Sequence, residues 1–357
     1  MTDRQRNLPF AISVMMLFVA LALLMSVLAL NASTAGASPM TDGKDGQKAT
    51  DTGASNTGTG QSDSTDPQHH RAPIRLRPWV QFGRANPGTD KIYHQILWNR
   101  LMTDTLVDLF GGSVQGWNVT VAPDQVNAEP GVPVVITTSV SVPTSPTHRL
   151  DIERVRATMY DPVTYTTTAY MITIVRRQPF TDVDENHWAD GPIQYLVDQG
   201  VAGGYADGSF RPDQNVTRAQ FARMLVGAMG WPLVTPPTPT FSDVPAGYWA
   251  YSYIETAAAH GVIGGYSDGS FRPDAGITRA QVAKMLYLAR GWQMDPPQQG
   301  SFSDVSAGDW FYVYAEAASS AEVMSGYADH TFRPNLPTTR AQAAKILVLG
   351  LFSQPDN

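Results

Sequence analysis

The stretch Thr217-Arg218-Ala219-Gln220 occurs three times in the chain, because it returns as Thr278-Arg279-Ala280-Gln281 and as Thr339-Arg340-Ala341-Gln342. Aromatic landmarks recur around it at a constant step of 61 residues (241 − 180 and 302 − 241): Phe180, Phe241 and Phe302; Trp188, Trp249 and Trp310; Tyr205, Tyr266 and Tyr327. A fixed period of this length indicates a supersecondary unit in three copies, each burying its apolar face partly against its neighbours.

Each four-residue stretch predicts the start of a helix. Thr followed three positions later by Gln forms a capping box, in which the hydroxyl accepts a hydrogen bond from a backbone N–H and the Gln side chain returns to the Thr amide. Apolar residues then follow at helical spacing, as Phe221, Met224 and Leu225 do in the first copy.

Arg218, Arg279 and Arg340 occupy the first helical position, where the partial positive charge of the helix start disfavours a cation by about 0.3 to 1 kcal/mol. One interpretation is that each Arg pairs with an acidic side chain across the repeat interface. The other is that each Arg forms an anion site together with the free N–H groups of the helix start. The residues alone leave both interpretations open.

Several motifs recur together in one order. The first copy reads Phe180-Thr181-Asp182-Val183, Trp188-Ala189, Gly204-Tyr205-Ala206-Asp207-Gly208, Phe210-Arg211-Pro212 and Thr217-Arg218-Ala219-Gln220. With its two further copies, this pattern resembles the S-layer homology (SLH) domain over about half of the chain. The resemblance implies an all-α SLH pseudo-trimer of three helical repeats. Such repeats hold proteins on the bacterial envelope by binding a cell-wall polysaccharide, often one that carries pyruvate ketals.

The same resemblance implies which residues bind the glycan. They are the helix-start arginines, the acid of each first motif, the recurring tryptophans and one glycine of each turn: Arg218, Arg279, Arg340, Asp182, Asp243, Asp304, Trp188, Trp249, Trp310, Gly204, Gly265 and Gly326. A pyruvate ketal presents a carboxylate, which is the anion that the second interpretation of the arginines requires. Neither a cofactor nor a metal is expected.

The chain departs from the family pattern in two ways. All three motifs end in Gln instead of the common Glu, which keeps the capping box and removes a charge beside the Arg. In the third copy, Glu322, His330 and Ala315 replace residues that the first two copies share, and His330 stands where a turn favours glycine. The third groove is therefore expected to bind weakly, and Arg340→Ala to weaken binding less than Arg218→Ala or Arg279→Ala, each of which is expected to cost about 1.5 to 3 kcal/mol.

Composition excludes some classes of function. The 357 residues carry a net charge of −7, which argues against a nucleic-acid partner, and 43% of them are hydrophobic, as in ordinary globular proteins. Cysteine is absent, so disulfides and thiol chemistry are excluded.

The N-terminus indicates export. Arg4 and Arg6 precede an apolar run, and Ala35-Gly36-Ala37 offers a cleavage site. Residues 1–37 are predicted to be a signal peptide. The alternative is a signal anchor that contacts the membrane through residues 10–30 as an apolar helix. Residues 38–71 are rich in Gly, Ser and Thr and are predicted to be a disordered linker, whose His69-His70 pair lacks further metal ligands.

Residues 72–177 show a β pattern. Strands are expected at Trp117 to Pro123, Val132 to Val142, Ile152 to Tyr160 and Tyr170 to Val175. The stretch Ile92 to Phe110 also fits an amphipathic helix. Asn99, Asp104-Thr105, Gln115-Gly116-Trp117 and Pro130-Gly131 resemble the immunoglobulin-like β-sandwich modules of bacterial surface proteins, which implies two strands there. Trp117 is expected in the core, in preference to serving as a sugar platform. Trp79, Trp98 and Phe82 fall outside the alternation and allow an exposed contact patch.

The predicted organisation is multidomain: a sandwich, then repeats at 178–230, 241–291 and 302–352, joined by linkers 231–240 and 292–301. Because no catalytic motif is found, a non-enzymatic protein is expected. One hypothesis is an S-layer or surface-coat component bound to a secondary cell-wall polysaccharide or peptidoglycan-linked glycan, whose sandwich self-associates or contacts other surface proteins. The alternative is an accessory of a glycan-active enzyme, or a tether between membrane and wall.

Overall fold

The computed structural model describes residues 72–160, 164–176, 179–294, 297 and 299–352. The predicted export segment (1–37) and linker (38–71) lie outside these residues. Within the described part of the chain, no helix is long and apolar enough to cross a membrane.

The β region forms two packed sheets. The strands are β1 (Ile74–Arg77), β2 (Val80–Arg84), β3 (Asp90–Asn99), β4 (Thr105–Ser113), β5 (Asn118–Ala122), β6 (Gln125–Ala128), β7 (Val134–Ser141), β8 (Leu150–Met159) and β9 (Tyr165–Ile174). One sheet has the order β1-β3-β7-β5 and the other the order β2-β9-β8-β4-β6. Strand β2 runs parallel to β9, whereas β9 pairs with β8 antiparallel. Leu97, Ile136 and Val155 point into the space between the sheets and are fully buried.

The ambiguous stretch Ile92 to Phe110 forms two strands, which confirms the interpretation based on resemblance. Strand β3 pairs with β7, and β4 pairs with β8 in the other sheet. The short connection between β3 and β4 therefore passes from one sheet to the other. Trp117 is 8% exposed and packs in the sandwich core, as predicted.

Each repeat contributes two helices. The outer ones are α1 (Asp190–Asp198), α3 (Tyr251–Ala259) and α5 (Tyr312–Ser320), and the inner ones are α2 (Arg218–Met229), α4 (Arg279–Arg290) and α6 (Arg340–Phe352). The predicted capping boxes are present at Thr217 and Thr278. At Thr339 the hydroxyl accepts from the Gln342 amide, and the Thr339 amide donates to the Gln342 side chain.

The three repeats form a closed ring. The inner helices contact one another, and each outer helix packs on the inner helix of the preceding repeat, so that α3 contacts α2, α5 contacts α4 and α1 contacts α6. Among the backbone hydrogen bonds between repeats, three form a closed cycle: Val216 N–H donates to Thr338, Ile277 N–H to Val216, and Thr338 N–H to Ile277, over 2.9, 2.9 and 3.0 Å. Repeats 1 and 3, which are not consecutive in the chain, therefore meet directly.

The predicted fold class is wrong in its division into separate modules. Residues 70–357 form one unit. A single hydrophobic cluster contains Ile172 and Ile174 of β9 together with Ile193 of α1 and Phe221 of α2. The outer face of the β2-β9-β8 sheet is apolar at this end, and it is buried against the ring.

The description of the repeats as all-α is also corrected. Only six helices are present in the described residues after position 178, and long ordered loops connect them. Loop segments of different repeats pair through isolated β-bridges, such as Thr217 with Gly276 and Thr278 with Pro337. The predicted apolar export helix is not among the described elements.

Candidate functional site

The helix-start arginines reach into the neighbouring repeat. Arg218 Nε donates to the Phe271 carbonyl over 2.8 Å, and the equivalent bonds of Arg279 and Arg340 have the same length. A second guanidinium nitrogen approaches the Gly264, Ser325 or Gly203 carbonyl at 3.5, 2.9 and 3.0 Å in the same order. Each Arg thus belongs structurally to the repeat that follows it around the ring.

Both sequence-based interpretations of these arginines need correction. Among the described residues, no carboxylate lies within 4.0 Å of Arg218, Arg279 or Arg340, so acid pairing is wrong. The helix-start N–H groups are also occupied, because the amides of Arg218 and Ala219 donate to the Ala275 and Pro273 carbonyls. The amides of Arg218 and Ala219 are therefore not available to bind an anion.

The environment of these arginines is partly dry. Burial lowers the pKa of Arg218, Arg279 and Arg340, and in each case the tyrosine beneath the guanidinium opposes the change. Arginine remains protonated at neutral pH despite such shifts. A cation in a partly desolvated groove attracts an incoming anion more strongly than one in open water.

Two grooves lie between repeats. One has a volume of about 190 Å³ and is lined by Arg218, Val262, Ile263, Gly264, Gly265, Tyr266, Gln281, Lys284, Met285 and Trp310. The other has a volume of about 200 Å³ and is lined by Val201, Ala202, Gly203, Gly204, Tyr205, Gln220, Arg223, Met224, Trp249 and Arg340. Each groove combines one repeat's glycine-rich segment with an Arg from a second repeat and a Trp from the third.

The recurring tryptophans project into solvent. Trp188, Trp249 and Trp310 are 55%, 52% and 57% exposed, which is unusual for side chains of this size. Lys284 Nζ lies 5.6 Å from the Trp310 ring, and Lys345 Nζ lies 5.7 Å from the Trp188 ring. An exposed aromatic face beside a cation is a suitable surface for a sugar ring that carries negative charge.

The second cation of each groove was not predicted. Arg223 and Lys284 line the two grooves, and Lys345 is their equivalent in the third copy. The available signal was a basic residue five positions after each helix-start Arg, in an otherwise apolar helix. On a single helix such a residue indicates only a solvent-exposed face. The arrangement of the three repeats shows that it faces the Trp of a neighbouring repeat.

The predicted aspartates hold a loop in place. Asp182 accepts the Phe210 and Arg211 amides, both over 2.7 Å. Asp243 and Asp304 make the same pair of bonds one and two repeats later. Both oxygens of each carboxylate are engaged, so these residues position the segment whose carbonyl receives the neighbouring Arg.

The predicted glycines are required by close packing. A Cβ on Gly204 would lie 2.6 Å from the Phe180 ring and 2.8 Å from the Ser209 carbonyl oxygen. Gly265 and Gly326 meet the equivalent Phe and carbonyl at 2.6 to 2.9 Å. The glycine-rich wall of each groove therefore lies directly against the first-motif phenylalanine.

A tyrosine in each groove is held between two arginines. The Arg218 guanidinium carbon lies 5.2 Å from the Tyr266 ring centre, and Arg272 lies 3.8 Å from it on its own repeat. Arg272 is fixed in turn by Asp268 over 3.0 Å. This contact network repeats at Tyr205 and Tyr327.

The substitutions in the third repeat keep the backbone geometry of the other copies. Glu322 and His330 adopt φ values of 59° and 60°, close to those of the glycines that they replace. The His330 carbonyl still accepts the Ser303 amide over 2.8 Å. The backbone geometry therefore gives no reason for weaker binding by the third groove, which stays a prediction from the sequence alone.

The fold and the grooves define a repeat protein whose candidate binding surfaces lie between repeats. Residues 179–222, 240–283 and 301–344, one segment in each repeat, match the S-layer homology domain.

Relatives share this region. The chain is 38% identical to the cellulosome-anchoring protein of Acetivibrio thermocellus, over 37% of this chain and 30% of that protein. It is 30% identical to an S-layer protein of Bacillus licheniformis, over 50% of this chain and 20% of that protein. It is 34% identical to an endoglucanase of a Bacillus species, over 47% of this chain and 18% of that protein. The chain thus spans less than a third of the length of these relatives. The SLH matches and these relatives support an exported protein of the cell surface or cell wall.

Solved structures match with low scores. The PapD-like domain of human CEP192 is 12% identical with a TM-score of 0.25, over 34% of this chain and 97% of that one. The CsuC-CsuE complex of Acinetobacter baumannii is 14% identical with a TM-score of 0.25, over 32% of this chain and 63% of that one.

Proposed function

We propose that the grooves bind an anionic cell-wall polysaccharide, and that the anion is the carboxylate of a pyruvate ketal. The observation that supports this most directly is the pairing of two cations from different repeats with an exposed Trp. Arg218, Lys284 and Trp310 line one groove, and Arg340, Arg223 and Trp249 line the other. A neutral sugar would require the aromatic face but not the two positive charges.

Different residues of the groove would bind different parts of the glycan. Arg218 uses Nε and one Nη for carbonyls, and its remaining Nη has no partner among the described residues. That nitrogen and Lys284 would receive the carboxylate, while the face of Trp310 would stack on the sugar ring. Gly264 and Gly265 leave the backbone open to close approach by the glycan.

The remaining predicted residues follow the same scheme. Arg279 with Trp188 and Lys345 would form the equivalent groove at the third copy, beside Gly326. Asp182, Asp243 and Asp304 are proposed to position the loops without contacting the glycan, since backbone amides occupy both oxygens of each.

We infer that this chain is an anchor and not a catalyst. The endoglucanase relative shows that SLH-like sequence also occurs in enzymes, but its match covers 18% of that protein. The S-layer or surface-coat role, with a sandwich that self-associates or contacts other surface proteins, is the use that we favour. A tether to the membrane through residues 10–30 is the alternative.

Co-sedimentation of the full chain with isolated cell-wall material tests anchoring by the grooves. The variant Arg223→Ala/Lys284→Ala/Lys345→Ala removes the second cations without removing the carbonyl bonds of the ring, so it should fold and yet remain in the supernatant. Arg156→Ala, an exposed Arg of the sandwich, is the matched control and should pellet like the wild type. Equal pelleting of all three proteins would contradict the proposed role of the groove cations.

A further inference from the structure

The ring has one joint that the chain does not connect directly. Repeats 1 and 2, and repeats 2 and 3, are consecutive in sequence, whereas repeats 3 and 1 meet only through non-covalent contacts. We call this joint the seam and define it by Val216 N–H to Thr338 O, Arg340 N–H to Gln214 O and Ala341 N–H to Pro212 O, at 2.9 Å each. In a ring closed by a single chain, the joint without a short chain connection opens most easily, because no linker holds its two sides close together.

The sandwich touches both sides of the seam. On repeat 1, Arg84 binds Glu185 and the buried carboxylate of Asp190, and Phe82 lies against Gly191. On repeat 3, Arg77 Nε lies 2.8 Å from Glu322. The Tyr170 ring of β9 packs 4.7 Å from Phe352 at the end of α6, and Phe352 in turn contacts Tyr195 of α1.

The repeats differ from one another at these contacts. Gly191 corresponds to Ser252 and Val313, and a Cβ at Gly191 would lie 2.5 Å from the Phe82 ring. Asp190 corresponds to Tyr251 and Tyr312, whose hydroxyls instead donate to the Pro236 and Pro297 carbonyls of the preceding linkers. Repeat 1 therefore has an acid and a gap where the other two repeats carry larger side chains.

Repeat 3 shows the complementary differences. Glu322 replaces Gly261 and Gly200 while keeping a positive φ, so a charged side chain is maintained at a strained position facing Arg77. Phe352 stands where Gly230 and Gly291 end the other inner helices, and α6 continues through it. Residues of repeat 3 that depart from the pattern of the first two copies thus include residues that contact the sandwich.

We propose that the sandwich is a clamp that holds repeats 1 and 3 together at the seam. The clamp supports the groove of Arg340 and Tyr205, because its Arg-to-carbonyl bond crosses the seam, and the groove of Lys345 and Trp188, because its cation-to-Trp contact crosses the seam. The groove of Arg218 and Lys284 takes its Arg-to-carbonyl bond across the covalently connected pair of repeats 1 and 2. The consequence for glycan binding rests on the proposed function, whereas the closure of the ring does not.

Backbone hydrogen exchange on the full chain tests the clamp. Arg84→Ala/Glu322→Gly removes ion pairs on both sides, and the glycine is the residue of the other two repeats, so it adds no strain. We expect exchange at the Val216 and Ala341 amides to accelerate about tenfold or more, while the equivalent Ala219 and Ala280 amides change by less than about twofold. Arg156→Ala is the control and should leave all four amides unchanged.

A second variant tests the clamp in case loss of the ion pairs alone is too small a change to open the seam. Gly191→Ser introduces the residue of repeat 2 and displaces Phe82, and it should accelerate the same two amides. Equal acceleration at all three joints, or no acceleration at Ala341 in either variant, would overturn the clamp.

Titration with a synthetic methyl hexoside that carries a pyruvate ketal adds a functional arm. If the grooves bind this probe, the clamp variants should titrate fewer sites than the wild type. Failure of the wild type to bind would count against the proposed function only, since the exchange result decides the clamp. Loss of sites without faster exchange at the seam would overturn the clamp as their support.

Discussion

At the level of single residues, the sequence predicts where the helix-start arginines lie but not which groups they bind. The capping box and the position of Arg218 could be predicted from four residues. Its acceptor, the Phe271 carbonyl, lies 53 residues away in the next repeat. A backbone carbonyl has no sequence signature, so periodicity cannot indicate it.

The arginines are expected to contribute equally to glycan binding. The earlier ranking, in which Arg340 matters least, assigned each Arg to its own repeat, but Arg340 contacts Phe210 and Gly203 of repeat 1. Because the three Nε bonds are all 2.8 Å long, Arg218→Ala, Arg279→Ala and Arg340→Ala should each weaken binding by about 1.5 to 3 kcal/mol. Calorimetry on the full chain measures this, and a loss confined to one Arg would contradict it.

A buried hydroxyl, that of Thr338, lies where backbone hydrogen bonds join the three repeats, and it predicts an effect on stability. Thr338 is fully buried, and its Oγ1 has no partner among the described residues. Its equivalents are Val216 and Ile277. Thr338→Val should therefore raise the free energy of unfolding by about 1 kcal/mol, and Val216→Thr should lower it similarly. Urea unfolding measures both, and a destabilised Thr338→Val protein would show that the hydroxyl is bonded.

A buried acid in the sandwich predicts a pH dependence. Burial, and then the charge of Asp151, raise the pKa of Glu153 from 4.5 to about 8. Because the folded state holds this proton more tightly, stability is full below pH 4.5 and falls as the pH rises through about 8. Glu153→Gln should remove this loss, which amounts to a few kcal/mol at about 1.4 kcal/mol per pH unit.

Unfolding at a series of pH values measures this effect. The stability advantage of Glu153→Gln over the wild type should increase from pH 5 to pH 9. An advantage that is constant with pH would contradict the assignment to Glu153.

At the scale of elements, local pattern predicted the inner helices and the four strands near Trp117, Val134, Ile152 and Tyr170. It could not decide Ile92 to Phe110, where apolar residues fit either a helix or strands. Strands β1, β2 and β6 were missed. Each has four or five residues, and β2 pairs in parallel with β9, some 90 positions later (170 − 80). Such a pairing is fixed by tertiary contact and not by local propensity.

Two adjacent glycines of one groove wall should differ in their tolerance of a side chain. A Cβ on Gly265 would lie 2.9 Å from both the Phe241 ring and the Ser270 carbonyl, whereas one on Gly264 meets nothing within 4 Å. Gly265→Ala should therefore cost about 1 to 3 kcal/mol of stability, and Gly264→Ala should be close to neutral. Thermal unfolding of the two variants measures this, and equal effects would mean that the wall can shift.

At the scale of the whole molecule, the sequence indicated two modules, but the structure shows one shared core. Charge, linkers and repeat period define boundaries only when each part buries its own apolar surface. Here Val80, Leu150 and Ile172 of the sandwich complete the core of the ring. Glu322 and Phe352 differ from their equivalents in the other repeats because they contact the sandwich. When repeat 3 is compared only with the other repeats, these differences suggest a loss of the repeat pattern.

The ring is proposed to anchor the chain by binding a carboxylate on a wall glycan. The most direct measurement is binding of the full chain to isolated wall polysaccharide before and after mild acid removal of ketal pyruvate. We predict strong binding before treatment and loss of most binding after it, because Arg218 and Lys284 would lose their anion. Unchanged binding after treatment would contradict the carboxylate claim and leave recognition to the exposed tryptophans and a neutral sugar.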